Sequence, residues 1–440
     1  MIEPPTGEGK TMNHEPMTFI ATNDLAGQTR GRAVPASRAT SAGRRGVGWV
    51  PANLAISSFG SIVAPNVFGS TGDLRLIPDA STRTHLPARE DHSAVDLYLA
   101  DQCLLDGTPW SSCPRAFART ALADFAAETG LEVVASFEHE FMLEDLGSSA
   151  PFSWQRFRDA DPFGSELVAL LELNGFAPET WLPEYGEQQF EITIEPTPAL
   201  LAADRAILLR ELVRDLARRR GHRATFAPLT DPDGSGNGVH IHLSLRDPST
   251  GEAGLYDAGE PGGLSALGRR FAAGVLTHAR AITALTAPSP VSFLRLAPHR
   301  WSAGGVFLAE RNREALLRIC PTLPGTDIAG QYNLEFRACD ATANPWLALG
   351  TLIRAGLHGI LHEYEDPKIW PEDAGEDLAG VEELPRDLPE ALTALREDTT
   401  VSAWFDQDLL ETFIAVKQSE IDLTAGLDPA ALCRRIADVH

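Results

Sequence analysis

Val133-Val-Ala-Ser-Phe-Glu-His-Glu-Phe-Met-Leu143 reads as an apolar β-strand interrupted by charged side chains. Residues two apart in a strand project from the same face, so Glu138 and Glu140 point together. Adjacent carboxylates repel unless a cation or a proton sits between them. A solvated strand face would also tolerate them, but two acids in so apolar a run tilt the reading towards a site.

Three further stretches extend this one. In Glu184-Tyr-Gly-Glu-Gln-Gln-Phe-Glu191 the outer acids are seven residues apart. An odd spacing places them on opposite faces of a continuous strand, so a turn at Gly186 is needed to bring both to one site. Alone, this block reads slightly better as ordinary structure than as a site. Gly234-Ser-Gly-Asn-Gly-Val-His-Ile-His-Leu-Ser-Leu245 places three alternating glycines, which allow backbone to approach a ligand, before a strand. His240, His242 and Ser244 share one face of that strand, which suits ligand or phosphate binding. Arg295, Arg311, Arg313, Arg318 and Arg337 then crowd one region of an acidic chain. Each could be a surface ion pair, but their density suggests an anion-binding wall. Glu138, Glu140, Glu184, Glu191, His240 and Glu335 together have the make-up of a two-metal site built on a sheet. Oxygen and imidazole donors holding divalent cations usually serve a phosphate-bearing substrate, so phosphoryl chemistry is expected.

The chain has 440 residues, enough for one large domain and a smaller one, and 43% hydrophobic residues, ordinary for a globular protein. A net charge of -24 argues against a nucleic-acid or anionic-membrane surface. No apolar run reaches the roughly 20 residues that span a bilayer. Residues 1–23 lack the apolar core of a signal peptide, and the five cysteines are unpatterned, as in reduced cytoplasmic proteins.

The patterning predicts an α+β protein: a leader over residues 1–16, a small β-rich domain over 17–107 and a catalytic domain over 108–440. Helices are expected from Pro114 to Glu128 with Gly130 closing, from Pro198 to Gly221, and over Leu264–Leu285, Pro345–Leu361 and Leu409–Leu423. Strands are expected over Leu131–Leu143, Gln189–Ile194, Val239–Leu245, Leu316–Ile319 and Asn333–Arg337. The acidic, Pro-rich stretch from Glu363 to Leu388 reads as a surface loop, and Arg218–Arg220 as a helix C-terminus.

In this order and spacing the motifs resemble the glutamine synthetase superfamily. The resemblance runs from about Asp24 to Glu420 and includes Phe-Glu-His-Glu-Phe, Gly-x-Gly-x-His-x-His, Arg-Leu-x-Pro (295–298), Arg-Asn-Arg-x-Ala (311–315) and Glu-Phe-Arg-x-x-Asp-x-x-Ala-Asn-Pro (335–345). It also includes Gly-x-x-Arg-Gly-Arg (27–32) and Gly-Asp-Leu-x-Leu-x-Pro-Asp (72–79). It implies a β-grasp domain followed by a catalytic domain with a curved antiparallel sheet and flanking helices. Glu140, Glu184 and Glu191 would hold one Mg²⁺ or Mn²⁺, and Glu138, His240 and Glu335 a second. His242, Ser244, Arg313 and Arg318 would bind nucleotide. Gly236, Arg295, Trp301 and Arg337 would bind the substrates, and Arg313, Arg295 and Arg337 would serve catalysis. The implied reaction is ATP-dependent: glutamate becomes a γ-glutamyl phosphate, and an amine displaces phosphate. The implied partners are glutamate, an amine and further copies of the chain in a ring, as a dodecamer. No nucleic acid or membrane is implied, and the setting is cytoplasmic.

The departures lie on the amine side. Ammonia-using members carry a Glu six residues after the Arg-Leu-x-Pro arginine, and here that position is Trp301. They also carry Asp-Gly-Ser-Ser in the small domain. The nearest match is Ala55-Ile-Ser-Ser58, and neither Asp nor Glu occurs between Arg32 and Gly72. Losing both carboxylates removes the charges that would concentrate ammonium, whereas Trp offers an alkylammonium an apolar, cation–π wall. A γ-glutamyl-amine ligase of the polyamine and monoamine branch is therefore expected. The alternatives are an ammonia-using glutamine synthetase, a non-catalytic regulatory relative, and a guanidino kinase, which would not need the β-grasp domain. Ser235 and Gln188 replace an Asn and a Gly of the family pattern.

Overall fold

A computed structural model describes residues 15–89, 92–297, 300, 302–362, 364–374, 378 and 380–440. Its first sheet comprises β1 (Met17–Asn23), β2 (Thr29–Pro35), β3 (Val47–Trp49), β4 (Leu74–Pro78), β5 (Thr84–Leu86) and β6 (Val95–Cys103), in the order β2-β1-β6-β4-β3 with β5 on β6. Here β1 and β6 run parallel and the other pairs antiparallel. This is the small β-grasp unit, with the helix Ala39–Arg45 lying against β4.

The second sheet comprises β7 (Glu132–Leu143), β8 (Pro178–Pro183), β9 (Gln189–Ile194), β10 (Thr197–Pro198), β11 (Ala224–Thr225), β12 (Val239–Arg246), β13 (Gly305–Glu310), β14 (Ala315–Ile319), β15 (Leu334–Phe336) and β16 (Ile369–Trp370). Its order is β16-β13-β14-β15-β12-β7-β9-β8, with β10 and β11 also on β7. From β14 to β8 it is antiparallel, as expected, but β13 runs parallel to both β14 and β16. The cause is local. Arg311, at φ 58°, turns the chain back, and the link through Glu314 returns it to the start of β13, where Gly304 N–H donates to Glu314 O.

Side-chain alternation builds the core. Phe137 and Phe141 of β7, Phe190 and Ile192 of β9, Ile241 and Leu243 of β12, and Leu334 and Phe336 of β15 turn to one face. There they pack with Leu208, Leu209 and Leu212 of the helix Ala199–Arg219. Each such burial contributes roughly 1.5–3 kcal/mol. His139 belongs to this face: burial, and next the charge of Arg210, push its pKa down to about 3, so it is a neutral core residue.

The helices Pro114–Thr129, Ala199–Arg219, Pro345–Leu361 and Gln407–Thr424 lie where hydrophobic spacing places them, and Gly130 at φ 71° closes the first. The helix expected over Leu264–Leu285 is two, Ala266–Thr277 and Ala279–Thr286, parted at His278. That imidazole is held away from the helix path by Asp398 (2.6 Å) and Tyr364 (3.0 Å). Helices Phe163–Leu173, Leu388–Glu397 and Pro429–Ala437 were not expected. Arg218 and Arg219 pair with Asp215, and Arg220 with Glu166, so that cluster is structural.

Two contacts lock the sheets together. Arg115, 1% exposed, binds Asp79 (2.8 Å), Asp101 (3.1 Å) and Asp204 (2.8 Å), joining the small sheet to the helix Ala199–Arg219. Asn344 caps the helix Pro345–Leu361 and donates to the Asn23 and Asp24 carbonyls at 3.0 and 3.1 Å. All five cysteines are buried, free thiols. Among the described residues no helix is long and apolar enough to cross a membrane.

Candidate active site

The face of the large sheet opposite the core carries the candidate ligands in a row. Strand register opposes Glu191 to Glu140 (β9 to β7), Glu138 to His240 (β7 to β12), His242 to Glu335 (β12 to β15) and Glu335 to Arg318 (β15 to β14). Glu184 reaches the row from the turn after β8. The chain turns at Gly186 as expected, with Gln189 N–H donating to Gly186 O at 3.2 Å, and the left-handed residue of the turn is Gln188, at φ 58°. Gly186 is also needed for closeness, because a Cβ there would lie 2.6 Å from Gln189 Oε1 and 3.0 Å from Ser235 Cβ.

Two clusters form. In the first, carboxylate oxygens of Glu140, Glu184 and Glu191 lie within 4.8 Å of one another. Burial, together with the charges of Glu138 and Glu184, raises Glu140 to about 7 against the pull of a 2.6 Å hydrogen bond from Gly238 N–H. Burial and the charges of Glu138, Glu140 and Glu184 raise Glu191 far above the usual carboxylate range. This cluster holds more negative charge than its surroundings balance. Three crowded oxygen donors of that kind suit a hard divalent cation.

The second cluster is balanced differently. Ligand atoms of Glu138, His242 and Glu335 share one 4.8 Å neighbourhood. The expected set named His240 where the structure groups His242, whose Nε2 lies 2.9 Å from Glu138. His240 is nevertheless close, with Nδ1 3.4 Å from Glu335 and 3.8 Å from Glu138. That nitrogen is buried without a hydrogen-bond partner, and burial, then the Arg337 charge, favour its neutral form. A neutral, unpartnered imidazole nitrogen facing two carboxylates fits a metal ligand. Burial works to raise Glu335, but His240, Arg337 and His242 outweigh it and hold the carboxyl at about 2.

The arginines divide. Arg318 donates to Glu335 at 2.7 Å and to Arg311 O at 3.2 Å. Arg337 donates to Glu335 and, at 2.9 Å, to Arg313 O. Arg313 itself is exposed on the turn after β13. Arg295 is buried, donating to Cys339 O at 2.8 Å while its Nε has no partner. The Gly-rich loop is shaped to it: a Cβ on Gly236 would lie 2.5 Å from Arg295 Cγ, and one on Gly238 2.8 Å from His240 Nε2. Ser244 spends its hydroxyl on Tyr332 O at 3.1 Å. Trp301 lies outside the described residues.

Several contributors escaped the sequence reading. Asn333 Oδ1 (2.9 Å) and Cys320 Sγ (3.7 Å) flank His242 Nδ1. Each stands two residues from an expected site residue, Glu335 or Arg318, so period-two spacing could have found both. Gln189 ties the Gly186 turn to the Gly-rich loop by donating to Gly236 O (2.8 Å) and Asn237 Oδ1 (2.9 Å). Arg156 clamps the Glu184 and Gly186 carbonyls.

Residues 111–428 match the glutamine synthetase catalytic domain and residues 7–110 the glutamine synthetase N-terminal domain. The chain is 35% identical to the gamma-glutamylpolyamine synthetase of Streptomyces coelicolor, over 93% of this chain and 90% of that one. It is 31% identical to the type-1 glutamine synthetase 1 of Dictyostelium discoideum, over 79% and 74% respectively. A crystal structure described as a novel glutamine synthase homolog superposes with a TM-score of 0.91 at 41% identity, covering 98% of this chain and all of that one. Fold, clusters and matches together define an ATP-dependent ligase. The chain belongs to the glutamine synthetase family, whose members use ATP and divalent metals such as Mg²⁺ or Mn²⁺.

Proposed function

We propose that this protein joins the γ-carboxylate of glutamate to an organic amine, through a γ-glutamyl phosphate formed with ATP. One contrast carries the reading: both three-donor clusters are complete, while no carboxylate occurs between Arg32 and Gly72. Divalent cations held by Glu140, Glu184 and Glu191 and by Glu138, Glu335 and the two histidines would neutralise the ATP phosphates. Arg313, exposed on the turn after β13, would meet the transferred phosphoryl group. Arg318 and Arg337 hold Glu335 in its ionised form and orient it. Arg295, buried against the Gly-rich loop, offers its unpartnered Nε to the acid substrate, with Gly236 keeping the approach open. On the amine side Trp301 takes the sequence position of a carboxylate that would favour ammonium, and an indole in that role would favour a substrate with carbon to bury. The similarity to a gamma-glutamylpolyamine synthetase supports this choice.

Use of ammonia is the second reading, favoured by the likeness to a type-1 glutamine synthetase. Initial rates of ADP release with glutamate and ATP, for ammonia against putrescine, spermidine, ethanolamine and ethylamine, decide between them. At least one organic amine is expected to exceed ammonia in kcat/KM by roughly tenfold or more, a difference of about 1.4 kcal/mol in transition-state binding. Ammonia matching the best amine would sink the proposal. Absence of ADP release with every nucleophile of the panel, while ATP and Mg²⁺ still bind, would favour a regulatory relative. We also propose that the chain works in the cytoplasm as a ring of copies. Light scattering that reports a stable monomer would contradict the ring.

A further inference from the structure

The acid-free stretch that bears on the amine carries only positive charge in a strongly acidic chain. Arg32, Arg38, Arg44 and Arg45 fall within it, and Arg75 lies opposite Gly48 across the β3–β4 pair. Among the described residues none of these five guanidiniums pairs with a carboxylate, whereas neighbouring Arg30 is committed to Asp24. A cleft of about 280 Å³ opens here, between the helix Ala39–Arg45 and the strands, on a different sheet from the metal ligands. Val34, Ala42 and Val47 supply its apolar surface, and Arg38, Arg45, Arg75 and Ser41 its polar one.

Two of the guanidiniums, those of Arg75 and Arg45, are held by hydrogen bonds. Arg75 is half-buried and donates Nε to Arg45 O at 2.8 Å and Nη2 to Gly46 O at 2.5 Å. Arg45 donates to Ser41 Oγ at 2.5 Å. The Nη1 atoms of Arg32 and Arg75 converge over Gly48, since a Cβ there would lie 3.5 and 3.8 Å from them. Like charges gathered without a counter-ion repel, and guanidinium groups pair readily with phosphate oxygens. The cleft volume is near the lower end for small-molecule sites, so its occupant is small.

We propose that this cleft between the helix Ala39–Arg45 and β2–β4 binds a small phosphorylated metabolite, with its phosphate on Arg38, Arg45 and Arg75 and its carbon skeleton on Val34, Ala42 and Val47. Such a site lies on a different sheet from the metal ligands and would let a phosphorylated compound tune the enzyme. The inference stands independently of which amine is used.

Titration calorimetry on the full-length protein in EDTA, with inorganic phosphate and with phenyl phosphate, tests it. Three proteins are compared: the unaltered chain, R38Q/R45Q, and R313Q as a control on the metal-bearing face. Phenyl phosphate is expected to bind more tightly than phosphate by about tenfold, from contact with the apolar surface. R38Q/R45Q should weaken both ligands at least tenfold, and R313Q should leave this component in place. Should R38Q/R45Q fail to fold, S41E, which puts a carboxylate into the cleft, is expected to abolish binding in a folded protein. Unchanged binding in R38Q/R45Q or in S41E would overturn the proposal, and so would equal loss in R313Q. It would also fall if R38Q/R45Q kept phosphate binding but changed the oligomeric state, because the arginines would then face a second copy of the chain.

Discussion

Glu140 and Glu335 are both buried carboxylates on one face of one sheet, yet they sit at opposite ends of the acidity range. Burial and neighbouring carboxylates bring Glu140 to about 7, whereas imidazoles and a guanidinium hold Glu335 at about 2. The difference gives the metal-free protein a pH signature. Between about 4.5 and 7 the folded state keeps a proton on Glu140 that the unfolded state has released, so stability falls as pH rises through that window. The effect is bounded at about 3 kcal/mol for a shift of this size. In EDTA, the thermal midpoint of the unaltered protein should therefore fall from pH 5 to 7.5 more steeply than that of Glu140→Gln. Adding Mg²⁺ at pH 7.5 should raise the midpoint of the unaltered protein and leave the variant nearly unmoved. At the same scale, Gly236→Ala must displace Arg295, since its Cβ would lie 2.5 Å from Cγ. The expected outcome is a rise in the KM for glutamate of roughly tenfold or more with little change in melting temperature. An unaltered KM would remove Arg295 from the substrate site.

At the scale of elements, the joints between sheets and helices are polar and few. Asn344→Ala removes a helix cap and two bonds to the small sheet, and should cost about 2–4 kcal/mol in denaturant unfolding. Arg115→Met leaves Asp204 buried without its guanidinium and should cost about 3–5 kcal/mol, with Asp204→Asn in the same background recovering part of the loss. Elements with strong periodicity were legible in the sequence: β9 and the helix Pro345–Leu361 fall on their expected bounds. What escaped had its cause elsewhere in the chain. His278 breaks a helix because residues 86 and 120 positions later hold its ring. β8, bounded by Pro178 and Pro183, hides behind the prolines at its ends. The parallel edge at β13 follows from one left-handed residue, Arg311. In the site, each strand face could be read from spacing two, but which imidazole meets which carboxylate depends on register between strands. That is why His242 and His240 exchange prominence.

For the whole molecule, the ligand row spans strands contributed from Glu138 to Glu335, so the site exists only when the large sheet is closed along its length. Metal binding and global folding should then be linked. Mg²⁺ at a hundredfold above its dissociation constant should stabilise by about 2.7 kcal/mol, and E191Q should lose most of that increment while keeping its metal-free midpoint or raising it. An equal shift in both proteins would place the cation elsewhere.

The opposed pairs across β9, β7, β12 and β15 have a consequence for how the chain reaches its native state. A slip of one residue in β7 would send Glu138 and Glu140 among the phenylalanines and bring His139 out to the other face. No misaligned sheet can assemble both clusters. A cation present while the strands pair therefore lends its affinity to the correct alignment alone, and proofreads the sheet before it takes part in any reaction.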